Sequence, residues 1–174
     1  MMAFVAIFPR SSRRSLFSTL AVMNVGKQVA PLDDPIMAEF AAATPHVNAL
    51  ARSTPGFVWS YDNDDPNKRL GVPELRQDPL LMPQLSLWKD VDSLRHFAFK
   101  SGHAIYFKRR SEWFSKIPPP FSVLFWWGEE NDENVEPPSL VEAFDRLRYL
   151  EQNGPCEYAF TFKTASEFVK CTNR

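Results

Sequence analysis

The stretch Phe121-Ser-Val-Leu-Phe-Trp-Trp127 decides how the rest of the chain has to fold. Successive side chains of a strand point to opposite sides of a sheet, and here both sides are apolar. Such a strand has to be covered on both faces. Helices of the same chain can cover one face, and we predict that the sheet of a second copy of the chain covers the other. The sequence therefore predicts a homodimer.

The residues before this strand predict the order β-α-β-β-α. Apolar, aromatic and β-branched residues favour three strands, over residues 16–25, 57–61 and 84–88. Asp34-Pro35 starts the first helix, since Asp accepts from free N–H groups and Pro fits the first turn. A second helix is predicted from Val91 to Lys116. The polar segment 62–79 is expected to be a loop between strands.

The residues after this strand add one helix and one further strand. Ser139-Leu-Val-Glu142 is a capping box, and the helix that it opens ends at Gly154-Pro155. Residues 157–163 alternate in polarity and predict a final edge strand. The whole pattern predicts an α+β protein of the ferredoxin-like, split βαβ plan, with an appended C-terminal helix and strand.

The composition limits the domain organisation and the partners. Hydrophobic residues make up 44% of the 174 residues, and aromatic residues 14%, which is enough for one core. We expect one domain over residues 16–163, followed by a tail over 164–174. The net charge of −1 offers no general attraction for nucleic acid, and the apolar runs are too short to span a membrane. Cys156 and Cys171 lack metal-type spacing and fit free thiols in a reducing compartment.

The N-terminal segment has two interpretations. The first 29 residues contain no acidic residue but include Arg10, Arg13 and Arg14. Residues 1–15 are either the disordered tail of a cytoplasmic protein or a mitochondrial targeting segment, which is typically rich in Arg and Ser and poor in acidic residues.

Six short motifs stand in an order that resembles a known family. They are Ala30-Pro-Leu-Asp-Asp-Pro35, Pro55-Gly-Phe-Val-Trp59, Leu85-Ser-Leu-Trp88, Arg110-Ser-Glu-Trp-Phe114, Phe125-Trp-Trp127 and Ala159-Phe-Thr-Phe162. Over about residues 20–162, the chain resembles an uncharacterised family, a domain of unknown function, in the dimeric α/β-barrel superfamily. Relatives in that superfamily include the antibiotic-biosynthesis monooxygenases and the heme-degrading monooxygenases.

The resemblance implies a dimeric α/β barrel with a pocket between the sheet and the helices of each subunit. It implies a small-molecule enzyme of the antibiotic-biosynthesis-monooxygenase-like type, with no dedicated organic cofactor. We also expect no metal site, because the chain has only three histidines and His46 falls on a different helix from the other two. The reaction would be that of a monooxygenase, isomerase or cyclase on an apolar, oxygenated metabolite. Heme-degrading members use an Asn, a Trp and a His, and this chain offers Asn24 and His103 at comparable places. His96 or Phe97 stands where the Trp would fall, which is a departure from the heme-degrading pattern.

His103 is the leading candidate for catalysis, since histidine can act as acid or base near neutral pH. Tyr106, Arg110 and Trp113 follow it at +3, +7 and +10, which predicts one helical stripe of donors over an apolar floor. We assign proton transfer to His103, and stabilisation of a developing oxyanion to Asn24 and Arg110. The alternatives are structural: a hydrogen-bonded helix histidine, a turn asparagine and a solvated arginine.

Aromatic side chains are expected to shape the pocket. The predicted substrate-binding residues are Trp59, Trp88, Phe97, Tyr106 and Trp113. The alternative for the tryptophans is burial in the core, where each indole N–H needs an acceptor. Two other functions stay open at this point. One is a non-catalytic protein that binds a small molecule or forms a dimer, and the other is a heme-binding protein.

Overall fold

A computed structural model of the chain describes residues 19–61, 69, 71–128 and 136–168. Within these residues, one antiparallel sheet contains the strands β1 (Thr19–Gln28), β2 (Phe57–Ser60), β3 (Leu81–Trp88), β4 (Phe114–Ser115) and β5 (Ser122–Trp127). The helices are α1 (Ala38–Ser53), α2 (Pro73–Gln77), α3 (Val91–Lys100), α4 (His103–Arg109) and α5 (Leu140–Asn153). Single 3₁₀ turns lie at Pro35–Met37, Arg110–Glu112 and Ala165–Glu167. The predicted α+β class is confirmed, and the N-terminal segment 1–15 lies outside the described residues.

β1 is the central strand of the sheet. It pairs with β3 from Leu20 to Lys27, and its other edge pairs with β5 from Thr19 to Asn24. The short strand β4 pairs with Lys27 and Gln28 on that same edge. β2 extends the sheet on the far side of β3. The order across the sheet is therefore β2-β3-β1, and β5 and β4 follow one another along the remaining edge of β1.

α3 and α5 start where the sequence predicts, whereas the predicted start at Asp34-Pro35 opens the 3₁₀ turn Pro35–Met37, and α1 begins after it at Ala38. In all three places a side chain satisfies a free backbone N–H group. Asp34 accepts from the backbone N–H of Ile36 at 2.9 Å, and Asp90 accepts from that of Ser93 at 2.7 Å. Ser139 accepts from the N–H of Glu142 at 3.2 Å, which confirms the predicted start of α5.

Helices of the same chain cover both faces of the sheet. On the face that we call the α1/α3 face, Leu20, Val22 and Trp88 pack with Val91 and Leu94 of α3, and Ala51 of α1 packs against them. The opposite face, the α5 face, carries most of the core. Its buried residues include Ala21, Met23, Leu85, Val123 and Phe125 of the sheet and Leu140, Ala143, Phe144 and Leu150 of α5.

The reason for predicting a partner subunit was wrong. β5 is apolar on both faces, as expected, and its Val123, Leu124 and Phe125 are fully buried. The second cover, however, is α5 and not a second sheet. The sequence predicts this helix only as an addition to the fold, whereas it occupies the face on which a twin sheet would have to stack. No partner chain is needed to bury this surface.

The predicted helix over residues 91–116 is interrupted after Lys100. The Ser101 hydroxyl donates to the carbonyl of Phe97 at 2.6 Å and accepts from the N–H of His103 at 3.2 Å. These local bonds replace those of a continuing helix, and Gly102 adds little helix propensity at the same point. The segment is therefore two short helices, α3 and α4, followed by a 3₁₀ turn.

Two further segments differ from the prediction. The predicted loop 62–79 contains α2, while its residues 62–68 lie outside the described ones. The predicted edge strand 157–163 forms only isolated pairs, Leu124 with Phe160 and Cys156 with Ala159. The predicted tail begins in packed structure, because Ala165 is buried and Phe168 accepts from the indole N–H of Trp126 at 2.8 Å.

The packing of α5 predicts the effect of a truncation in its core. Phe144 is 3% exposed, so Phe144→Ala should lower the free energy of unfolding by about 3 to 5 kcal/mol through lost burial and a cavity. Val141→Ala on the exposed side of the same helix should change it by no more than about 0.5 kcal/mol. Urea unfolding at two protein concentrations measures both effects. A midpoint that rises with protein concentration would show that a second chain contributes to the cover.

Candidate functional site

A cleft opens on the α1/α3 face, above β3 and next to the central strand β1. Within β1, which is described in full from Thr19 to Gln28, Asn24 alone is exposed. Its cross-strand partner Gln84 on β3 is exposed as well. The middle of a helix-covered sheet is normally buried, so two exposed neighbours there mean that the helices diverge above them. Neither α1 nor α4 contains a buried residue, which agrees with this loose cover.

The cleft lies between α1, α4 and β3. It has a volume of about 70 Å³, which is room for no more than one edge of a small ring. Its lining residues are Phe40, Ala43, Thr44, Val47 and Asn48 of α1, Gln84 of β3, and His103 and Tyr106 of α4. The predicted site residues His103 and Tyr106 thus share one cleft, and Asn24 lies beside it on the next strand.

The ring of His103 is held in one orientation. Its Nδ1 lies 3.2 Å from the carbonyl oxygen of Ala98, which can only accept, so Nδ1 must carry the proton. This carbonyl is free because α3 ends at Lys100 and its last carbonyls lack helical partners. The imidazole also stacks on Phe97, with ring centroids 4.7 Å apart. Phe97 in turn stacks on the buried Trp88 at 5.2 Å, so the ring rests on a rigid aromatic column.

Burial lowers the pKa of His103 below its ordinary value of 6.5, and the bond to Ala98 opposes this shift only in part. The imidazole is therefore neutral at pH 7. Among the described residues, Nε2 has no hydrogen-bond partner, and it is not a buried atom. A neutral imidazole with Nδ1–H fixed and Nε2 open is the form that accepts a proton or a hydrogen bond.

The polar residues that line the cleft together with His103 are uncharged. Tyr106 supplies a phenol, Asn48 and Gln84 supply amides, and the Thr44 hydroxyl donates to the carbonyl of Phe40 at 2.9 Å. The lining residues include no carboxylate, lysine or arginine. Such a lining matches a neutral molecule with hydroxyl or carbonyl groups, because a charged one would lose its hydration without gaining a counter-charge.

One ion bridge connects the two helices that form the cleft walls. Arg109 of α4 donates to both carboxylate oxygens of Glu39 on α1, at 2.6 and 2.8 Å, and to both oxygens of Glu112, at 2.8 and 2.7 Å. Its guanidinium also lies 4.9 Å above the ring of Trp113. Hydrogen bonds from Arg109 lower the pKa of both carboxyl groups, so the bridge stays charged at neutral pH.

The other predicted site residues lie outside the cleft. Arg110 is exposed, donates to the carbonyl of Phe107 and stacks over that ring at 4.5 Å. Trp113 is buried beside Phe40, and Trp59 packs on the α5 face, across the sheet from the cleft. Trp88 and Phe97 do not line the cleft but support His103 from below. The predicted single stripe is therefore divided by the end of α4.

Sequence reasoning missed the residues that α1 and β3 contribute. Phe40, Thr44 and Asn48 repeat at four-residue intervals, which places them on one side of a helix, but this mixed set was not distinguished from an ordinary helix face. Gln84 begins the alternating stretch 84–88, and its polar side chain on a strand next to β1 was the available signal.

The fold and cleft define an α+β protein with one antiparallel sheet, helices on both faces and a small neutral site. A family model described as Domain of unknown function (DUF3291) matches residues 19–173, and the chain belongs to that family.

Two solved structures are similar to the chain. A conserved protein from Methanosarcina mazei Go1 shares 16% identity with a TM-score of 0.47, over 66% of this chain and 97% of that one. A protein from Pseudomonas aeruginosa shares 13% identity with a TM-score of 0.43, over 64% of this chain and 95% of that one. No curated protein matches the sequence.

The described part of the chain contains neither a membrane-spanning helix nor a cluster of metal-ligating side chains. None of its helices is long and apolar enough to cross a membrane. No three His, Cys, Asp or Glu side chains among those same residues lie close enough together to hold a metal ion.

The environment of His103 predicts its titration. Its Cε1–H signal in NMR, assigned with His103→Gln, should titrate with a pKa below 6.5. Because the unfolded chain then takes up this proton at higher pH than the folded chain, the contribution of His103 to stability is complete above pH 6.5. It is lost as the pH falls through the folded pKa. A pKa at or above 6.5 would contradict the placement of the ring.

The ion bridge predicts how α4 is held in place. Arg109→Gln should speed hydrogen exchange of the α4 amides, because the mutant loses the contacts to Glu39 and Glu112. Lys108→Gln removes a neighbouring charge that makes none of these contacts and serves as the matched control. Equal exchange rates in the two variants would mean that aromatic packing alone holds the helix.

Proposed function

We propose that the protein acts on a small, neutral, oxygenated molecule and that His103 accepts a proton from it. The observation that carries this proposal is the state of the imidazole. Nδ1–H is bonded to the carbonyl of Ala98, the ring is neutral, and Nε2 has no partner among the described residues. His103 lines the same cleft as Tyr106 and Gln84. A ring held in this way is prepared for one direction of proton transfer.

The step that we assign is removal of a proton from a carbon next to a carbonyl group, or from a phenol. The proton passes to Nε2 of His103, and the electron pair moves to the substrate oxygen. The side-chain N–H groups of Gln84 and Asn24 and the hydroxyl of Tyr106 are the nearby donors for the oxyanion. Cofactor-independent monooxygenases, isomerases and cyclases can all begin with such a step. Arg110 has no part in this assignment, because it lies outside the cleft.

The finer fold assignment belongs to this proposal. We infer a ferredoxin-like arrangement, and it is supported by the strand order, with β5 and β3 on either side of β1 and β2 at the far edge. The antiparallel pairing and the helices α1 and α3 between the strands also support it. The dimeric barrel is not carried forward, because α5 covers the face that a twin sheet would use.

Non-catalytic binding is the second candidate, and the small, open cleft favours it. An active site usually encloses its substrate to exclude water, whereas this one encloses only an edge. Heme binding has less support, because a volume of about 70 Å³ is far below the several hundred Å³ that a large organic ligand fills.

Deuterium incorporation separates the two candidates. The probe is 2-tetralone, a neutral ketone with exchangeable protons beside its carbonyl group, dissolved in D₂O at neutral pD. The protein should accelerate incorporation, and His103→Gln should lose at least about 90% of the acceleration, since a general base contributes roughly 10²- to 10⁴-fold. His96→Gln, at an exposed position outside the cleft, should retain it. Binding of the probe without acceleration would contradict catalysis and favour the binding protein.

A further inference from the structure

Three polar side chains form a row across the sheet. Neither the proposed catalysis nor the packing of the core accounts for all of their hydrogen-bonding groups. Gln84 of β3 and Ser122 of β5 are the direct cross-strand partners of Asn24 on β1. Direct partners point to the same face of a sheet, so all three lie on the α1/α3 face. We call them the polar row. Gln84 lines the cleft, and the row leads from there under the cleft mouth towards β5.

The polar row interrupts an otherwise apolar face. The next row on this face contains Val22 and Leu124 with Ser86, whose hydroxyl accepts from the indole N–H of Trp88 at 2.9 Å. Beyond it, Leu20 pairs with Trp88, which belongs to the core, and with Trp126, which is half-buried and packs against the core. On the other side of the polar row, Met82 pairs with Gly26 and is buried again, so the three polar residues interrupt the apolar face at one position.

The members of the polar row lack strong partners among the described residues. The hydroxyl of Ser122 is buried without any hydrogen bond to them. The amide nitrogen of Gln84 has only a weak contact, 3.8 Å from the sulfur of Met82. Asn24 makes no side-chain hydrogen bond within the same set, although it is exposed on the central strand. Unpaired donors and acceptors in one line provide hydrogen bonds that a bound molecule can take up.

We propose that the polar row is the second half of the binding site and that the ligand is a neutral molecule of two aromatic rings with oxygen at both ends. This inference rests on the proposed function and deepens it. One ring edge enters the cleft beside His103 and Tyr106. The second ring lies over Asn24. Its oxygen reaches Ser122 after rotation about the Cα–Cβ bond of that half-buried residue has turned the hydroxyl out of its buried position.

The spacing of the strands supports a ligand of this length. Neighbouring strands lie about 4.8 Å apart, so the polar row spans about 10 Å from Gln84 to Ser122. Oxygens on opposite sides of one ring match two adjacent members of the row, and oxygens at the two ends of a fused pair of rings match the outer two. The edge bound in the cleft is too small to be the whole ligand, which agrees with a second ring outside it.

The donor set also fixes the charge of the ligand. Two amides and a hydroxyl each donate and accept, so they suit phenol and carbonyl groups in either role. Neither the polar row nor the cleft lining contains a charged side chain. An anionic ligand would have no counter-charge from either group, and a cationic one no carboxylate.

Two matched naphthalenes test the inference by isothermal titration calorimetry. Their common ring system carries one hydroxyl in 2-naphthol and two, at opposite ends, in 2,7-dihydroxynaphthalene. The protein should bind the second about fivefold more tightly, the typical effect of one added hydrogen bond. Gln84→Leu and Ser122→Ala should each remove that preference. Gln77→Leu, at an exposed position on α2, should retain it and controls for surface changes.

The NMR signal of His103 distinguishes failure of the polar row from failure of the site. If both naphthols shift that signal but bind the protein equally well, the polar row is not a subsite, while the proposed function stands. If the preference exists and survives Ser122→Ala and Gln84→Leu, the row is again excluded. If neither naphthol binds or shifts the His103 signal, both the inference and the proposed function are overturned.

Discussion

Covering an apolar sheet on both faces is the constraint on which the rest of the structure depends. β5 and β1 bury side chains on each side, and burial of such residues is the main favourable term in folding. α5 resolves half of this problem within the chain, by packing Leu140, Phe144 and Leu150 against the sheet. Because that face carries most of the core, the α1/α3 face can be covered less completely. The cleft exists where this second cover is loosest.

The properties of the cleft follow from the point at which α3 ends. The helix stops at Lys100, and the hydroxyl of Ser101 takes up the carbonyl of Phe97. The next carbonyl, that of Ala98, is left for the ring of His103, which fixes the tautomer. Continuation of the helix would have used this carbonyl in the backbone and left the imidazole without its orienting bond. A local break thus connects the fold to the chemistry that we propose.

The sequence predicted the elements better than their assembly. Capping residues such as Asp90 and Ser139 act through neighbours in the chain, so the starts of α3 and α5 were predictable, whereas Asp34 caps the 3₁₀ turn before α1. The role of α5 was not predictable. A strand that is apolar on both faces has the same sequence pattern whether a helix of its own chain or a partner chain covers the second face. Helical spacing predicts that His103 and Tyr106 lie together, and both line the cleft. The same spacing predicts Arg110 beside them only if the helix is continuous, and Arg110 lies outside the cleft because α4 ends before it. Local patterns place Asn48 on one side of a helix and Gln84 on a strand, but only tertiary packing brings the two to one cleft.

The most direct test of the central claim is an isotope-filtered NOE experiment on a mixture of labelled and unlabelled chains. It separates contacts within one chain from contacts between chains. We predict intrachain NOEs between the ring of Phe144 and apolar side chains of the sheet on the α5 face, and no interchain NOEs to that ring. Interchain NOEs at Phe144 would show that a second copy covers this face and would contradict the account.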